Sequence, residues 1–268
     1  MQRSELPSTE HSRHPISNAN RDAALKAANR DQSGFRLNWL WEWAKVFPAA
    51  VLLFFFMKTV VVETYKIPSG SMERTLMIGD FLIVNKMVYG AEIPFSNKHL
   101  PAVRSPKRGD VIVFVWPSDP TKNFVKRLVG LPGDTVAMNA GNFVLNGVVQ
   151  KESYVTHSEP NVDPTYDDFR WQRSHVVSAS ASTIAPVSAN EYRPSRDNWG
   201  PILVPQKSFF VLGDNRDNSD DSRFWGFVPD TLLLGTPLVV YYSYSPDSTV
   251  TAPWITRIRW SRLGGSVE

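Results

Sequence analysis

Cysteine is absent from all 268 residues. That absence excludes a disulfide framework, a thiolate metal site and a thiol nucleophile, and it leaves the redox compartment open. Histidine is scarce. His11, His14, His99, His157 and His175 are scattered, and apart from a weak pair in the N-terminal tail they show no metal-ligand spacing. No dense Lys/Arg block occurs either. A net charge of +3 therefore suits a neighbour of anionic lipid better than a binder of nucleic acid. Internal repeats are missing, and only one long apolar run interrupts an otherwise ordinary globular composition.

That run lies between Trp39 and Tyr65. Val46–Met57 is almost wholly apolar, Lys58 follows, and Thr59–Val62 continues the run. With Lys58 snorkelling it approaches the roughly 20 residues a membrane span needs. Trp39, Trp41 and Trp43 at one end and Tyr65 at the other match an aromatic belt. Pro48 is expected near the helix start, where a missing N–H costs least. A buried core helix with an accidental lysine is the competing reading. Arg30, Arg36 and Lys45 precede the run and place the N-terminus in the cytoplasm, with everything after residue 66 outside. No Ala-x-Ala-like site follows closely, so the run reads as an uncleaved anchor. The expected organisation is a mostly disordered cytoplasmic tail over 1–38, with an Ala/Lys patch around Ala23–Ala28 that reads as transiently helical, a transmembrane anchor over 39–65 and an extracytoplasmic domain over 66–268.

Beyond the anchor the texture is β. Phe81–Lys86 and Val111–Val115 are β-branched runs bounded by Gly79-Asp80 and Gly109-Asp110 turns. Further strands are expected at Phe124–Val129, Thr135–Met138, Phe143–Leu145, Ser208–Leu212 and Leu238–Tyr242, with Asn146-Gly147 as a hairpin turn. The fold class is mainly β: a barrel-like antiparallel sheet domain with a β-rich insert at about 150–200, preceded by a single N-terminal transmembrane helix. The Trp254–Arg262 segment alternates basic and apolar residues. It reads either as a closing strand or as a Trp/Arg surface for the headgroup layer.

Three stretches carry candidate chemistry. Ile67-Pro68-Ser69-Gly70-Ser71-Met72 sets two serines around a glycine directly after the apolar run. Pro68 holds Ile67 extended, and Ser71 reads as a nucleophile on an exposed turn, or as part of a Ser/Gly linker. In Phe124–Val129, alternation puts Phe124, Lys126 and Leu128 on one face. An amine among apolar neighbours loses its proton more readily, as a general base near neutral pH requires; a rim lysine with its head in water is the alternative. Gly213–Arg223 is dense in turn formers and charges of both signs. A calcium loop fails there: Arg216 would take the third ligand position, Ser219 replaces the turn glycine, and Trp225 stands where a bidentate Glu belongs. An ion-pair network fixing a loop fits better, with Ser219 available to orient an amine.

Taken together, these motifs resemble the type I signal peptidases, membrane serine proteases of the bacterial cytoplasmic membrane. The resemblance rests on Pro68–Met72 with Thr75-Leu76, Arg108-Gly109-Asp110-Val111, Lys126–Asp134 and Gly213–Gly226, in that order. It implies that Ser71 is the nucleophile and Lys126 its base, and that Ser69 assists the Ser71 N–H at the oxyanion. It implies that Ser219 orients the lysine, that Asp221 and Arg223 give structural support, and that Ile67, Pro68, Met72, Leu76 and Val125 line shallow apolar pockets. The implied partners are exported preproteins with Ala-x-Ala-type sites and the lipid bilayer; no nucleic acid, metal or cofactor is called for. Arg74 stands where the family usually has proline, which puts the local turn geometry in question. A self-cleaving repressor-type Ser/Lys protease and a membrane-tethered binding domain are the alternative readings. The apolar run and the lack of a basic DNA-reading helix count against the first.

Overall fold

Short apolar runs punctuated by glycine turns become strands in the computed structural model, which describes residues 18–91, 100–177, 192–246 and 249–267. Residues 1–17 of the expected tail and 178–191 of the expected insert lie outside the described residues, as do His11, His14 and His99. The chain divides into a unit ending at Phe55 and a second beginning at Phe56.

The described part of the first unit is helical and belongs to α1 (Asn18–Phe56), whose last residue opens the second. It takes in residues 18–38, where composition led us to expect disorder; the good helix formers Ala23, Ala24, Leu25, Lys26, Ala27 and Ala28 account for the difference. Pro48 therefore lies inside a long helix rather than at its start. The residues from Val46 to Phe56 are exposed on every face. Among the described residues, no helix is long and apolar enough to cross a membrane.

A π-helical turn (Met57–Val61) then leads into strands, which begin within the run expected to form the anchor. In chain order the described strands are β1 (Val62–Lys66), β2 (Asp80–Asn85), β3 (Val111–Val115), β4 (Asn123–Gly130), β5 (Thr135–Asn139) and β6 (Asn142–Leu145). They continue with β7 (Val148–Val149), β8 (Trp199–Leu203), β9 (Ser208–Leu212), β10 (Val228–Pro229) and β11 (Leu233–Ser243). A seven-stranded antiparallel sheet runs β1-β2-β11-β3-β4-β9-β10, and a four-stranded one runs β7-β6-β5-β8. Register shifts in β11, against β2 and against β3, bend the larger sheet so that it curls. The fold is mainly β, as expected. The second sheet starts earlier than the expected insert, at Thr135. Within 150–198 the described regular structure is a 3-10 helix at Asp167–Ser174, not strands.

Strand β3 shows why five apolar residues follow one another without alternation. Val111 and Val113 pack with Ile67, Met72, Leu76, Leu82 and Val84 on one side, while Ile112 and Phe114 pack with Leu128, Phe209 and Val211 on the other. A strand covered on both faces has no reason to alternate. A third cluster, including Val129, Val136, Trp199, Ile202 and Phe210, joins the two sheets.

The Trp254–Arg262 segment is not a closing strand. It forms short helical turns at Pro253–Thr256 and Trp260–Arg262. Arg262 reaches Asp80 at 2.5 Å and the Thr75 carbonyl at 2.9 Å. Arg259 donates to the carbonyls of Ile78 and Tyr244. These bonds, rather than a sheet ladder, organise the basic residues.

Candidate active site

Strand β1 ends at Lys66 and the chain continues extended through Ile67, whose N–H donates to the Asp80 carbonyl at 2.8 Å. A tight turn follows. Glu73 N–H bonds the Gly70 carbonyl, and Leu76 N–H bonds the Met72 carbonyl at 2.7 Å. Arg74 sits in this turn at φ +83°, a left-handed conformation closed to proline, whose ring holds φ near −65°. The turn is thus built differently from one carrying proline at that position. Ser71 is 8% exposed, and its carbonyl accepts from the Asn215 N–H at 3.1 Å. Ser69 is exposed, with its hydroxyl 3.5 Å from that of Ser71.

Strand β4 brings Lys126 to the serine. Its register partner on β3 is Ile112, and Phe114 faces Phe124, so the lysine shares a side of the sheet with apolar groups. Lys126 is 4% exposed, with its amine 2.7 Å from Ser71 Oγ and 5.2 Å from the Phe124 ring centre. Burial lowers its pKa to about 8, although Asp221 and Asp220 pull in the opposite direction. A hydroxyl bonded to an amine that loses its proton more readily than an ordinary lysine is the geometry of a nucleophile beside a base.

The loop after β9 braces this pair. Asp221 caps the helical turn α2 (Ser222–Trp225), accepts from Gly213 N–H at 3.0 Å and pairs bidentately with Arg223 at 2.8 Å. Burial favours the neutral acid, but the charge and hydrogen bonds of Arg223 outweigh it and hold the carboxyl below its ordinary range. Arg223 also bonds the Arg216 carbonyl at 2.7 Å. Ser219 is buried, and its hydroxyl turns to Asp221, where it helps hold that carboxyl low. The expected bond from Ser219 to Lys126 is therefore not formed here. Gly213 explains the tight packing. A Cβ there would stand 2.2 Å from Ser219 Oγ and 2.5 Å from the Ser71 carbonyl oxygen.

Of the expected pocket residues, Leu76, Met72 and Ile67 are 0%, 2% and 5% exposed and form the core behind the serine. Pro68 is exposed and Val125 half-buried, so these two keep surface for a bound chain. Sequence reasoning assigned no role to a second buried pair. Arg127 on the opposite face of β4 binds Asp214 at 2.7 and 2.8 Å, and Thr75 Oγ1 donates to the same carboxylate at 2.6 Å. The available signal was two adjacent cations within one strand, which alternation must send to opposite faces. Among the described residues, no group of His, Asp or Glu could hold a metal ion.

These features define a hydrolase with serine chemistry on a curled antiparallel sheet. The family model described as signal peptidase, peptidase S26 matches residues 40–242, and the chain belongs to that family. It is 35% identical to a signal peptidase I of Pseudomonas fluorescens over 228 residues, covering 81% of this chain and 78% of the relative. A signal peptidase I of Aquifex aeolicus (strain VF5) is 34% identical, over 72% of this chain and 80% of its own. A solved signal peptidase I from Enterococcus faecalis V583 is 28% identical and covers 50% of this chain and 98% of that one, with a TM-score of 0.32. The protein is accordingly a serine peptidase.

Proposed function

We propose that this protein is a membrane-anchored endopeptidase that removes signal peptides from exported preproteins with a Ser71/Lys126 dyad. The observation that carries the reading is the 2.7 Å contact between the Ser71 hydroxyl and a buried amine whose pKa is lowered to about 8. In the acylation step, neutral Lys126 takes the Ser71 proton as Oγ attacks the scissile carbonyl. The developing oxyanion receives the Ser71 N–H and the Ser69 hydroxyl, donors of a kind that typically contribute about 3–4 kcal/mol. The Lys126 ammonium then protonates the departing amine, and water cleaves the acyl-enzyme by the same proton relay in reverse. Ser219 serves by restricting the lysine, and Asp221 with Arg223 by fixing the loop that carries Ser219.

Pro68 and Val125 suit small residues of an extended chain, consistent with Ala-x-Ala-type sites, and the segment around Ile67 offers an edge to which substrate adds as a strand. Anchoring is assigned to the exposed apolar stretch Val46–Phe56, with the cations before it on the cytoplasmic side. In detergent, purified protein should cleave an Ala-x-Ala precursor at one bond, read by product mass. Ser71→Ala and Lys126→Met should abolish cleavage while the protein stays folded, and Ser69→Ala should slow it about 100-fold. Normal processing by the Ser71→Ala protein would end the proposal.

A further inference from the structure

A cleft opens beside the dyad, lined by Trp116, Ser219, Asp220, Phe224 and Trp225, with Asp168 of the 3-10 helix on its rim. We propose that this cleft is a substrate subsite that takes a lysine or arginine side chain of the cleaved chain. The inference rests on the peptidase reading above.

Two kinds of surface meet there. The walls are half-buried aromatic rings, which suit the methylene stem of a long basic side chain. Asp168 and Asp220 are exposed residues outside the described salt bridges, and the Asp220 carboxyl is partly desolvated beside Trp225. Asp217 is already engaged, by His157 at 2.9 Å and Arg196 at 3.5 Å, and its side chain has no exposed surface. Trp116 is spoken for as well, stacked 5.0 Å from Phe124 and carrying the Lys122 ammonium 5.2 Å from its ring centre. Charge recognition therefore falls to Asp168 and Asp220.

Two further observations bear on the cleft. Ser219 is more than nine-tenths buried and lines the cleft, with its hydroxyl beside the Asp221 carboxylate. Beneath it, Gly213 brings the Ser219 hydroxyl close to the Ser71 carbonyl. Burial, opposed by attraction to Lys126, keeps the Asp220 carboxyl above its usual range, so an arriving cation would stabilise the charged form.

The test is a peptide series built on one Ala-x-Ala site, with Lys, Gln or Glu placed singly at each position flanking the cut. At one position the wild type should cleave the Lys peptide about four- to 25-fold faster than the Glu peptide in kcat/KM, as two exposed ion pairs of about two- to fivefold each would give. The Lys/Glu ratio should shrink in high salt. It should also fall in both Asp220→Asn and Asp168→Asn, and the ratio cancels any change these make to the dyad itself. Asp168→Asn keeps the test decisive if Asp220→Asn misfolds. Cleavage of the Gln peptides without a Lys preference at any position, or a preference that survives both substitutions, overturns the subsite and leaves the peptidase reading standing. Failure to cleave any peptide overturns both.

Discussion

At the scale of single residues, the water stripped from one ammonium group governs the behaviour of the site. Lys126 has its pKa lowered by burial to about 8, against about 10.4 in an unfolded chain. In the proposed dyad the reactive form is the neutral amine, so kcat/KM should rise about tenfold per pH unit below 8 and level off above it. A pH–rate profile checks this, and a plateau extending to pH 6 would contradict it. The same burial has a consequence for stability. Below pH 8 the folded state carries a charged amine in dry surroundings, and between 8 and 10.4 the unfolded chain binds more protons, so stability rises with pH through that window. Lys126→Met should therefore be more stable than wild type at pH 7, by about 1–3 kcal/mol. The gain should fade as pH approaches 10.4, and urea unfolding across pH measures both parts.

At the scale of elements, the turn after Ser71 and the buried pair behind it hold the hydroxyl in place. Arg74 occupies φ +83°. Arg74→Pro would have to rebuild the turn and should cost about 1–3 kcal/mol along with most activity, whereas Arg74→Gly should keep both. Thermal melting and peptide cleavage of the two variants distinguish these outcomes. The Arg127–Asp214 pair is 3% and 1% exposed and gathers Thr75 from the serine turn. Removing one partner strands a buried charge, so Arg127→Met should lose about 3–5 kcal/mol. A loss below 1 kcal/mol in denaturant titration would show that the pair is not the brace we describe.

At the scale of the whole molecule, exposed apolar surface distinguishes the helical stretch proposed as the anchor from the part that carries its own core. Leu52, Leu53, Phe54 and Phe55 are 59% or more exposed, while the sheets bury three apolar clusters. Replacing these four residues with glutamine should release the protein from the membrane fraction and from any detergent requirement, as co-sedimentation with vesicles would measure. Retention of the variant on vesicles would move the anchor elsewhere, and Trp254, Ile255 and Trp260 are exposed enough to be tested next.

Much of this was written in one dimension. The β character, the Asn146-Gly147 turn with φ of 51° and 81° and the shared face of Phe124, Lys126 and Leu128 follow from local sterics and a two-residue period. Those forces act between near neighbours in the chain. The extent of α1 was harder to read, because polar residues mask helix propensity, and the helical turns at Trp254–Arg262 arise from bonds to Thr75, Ile78 and Asp80 far away in sequence. Burial of Leu76, Met72 and Ile67 behind the serine depends on what packs over them, as does the turning of Ser219 toward Asp221. The amine's lowered pKa could be expected from its apolar face; its 2.7 Å approach to a hydroxyl 55 residues away could not. Periodicity tells which side a residue takes, and only the closing of β4 onto the serine turn decides what it meets there.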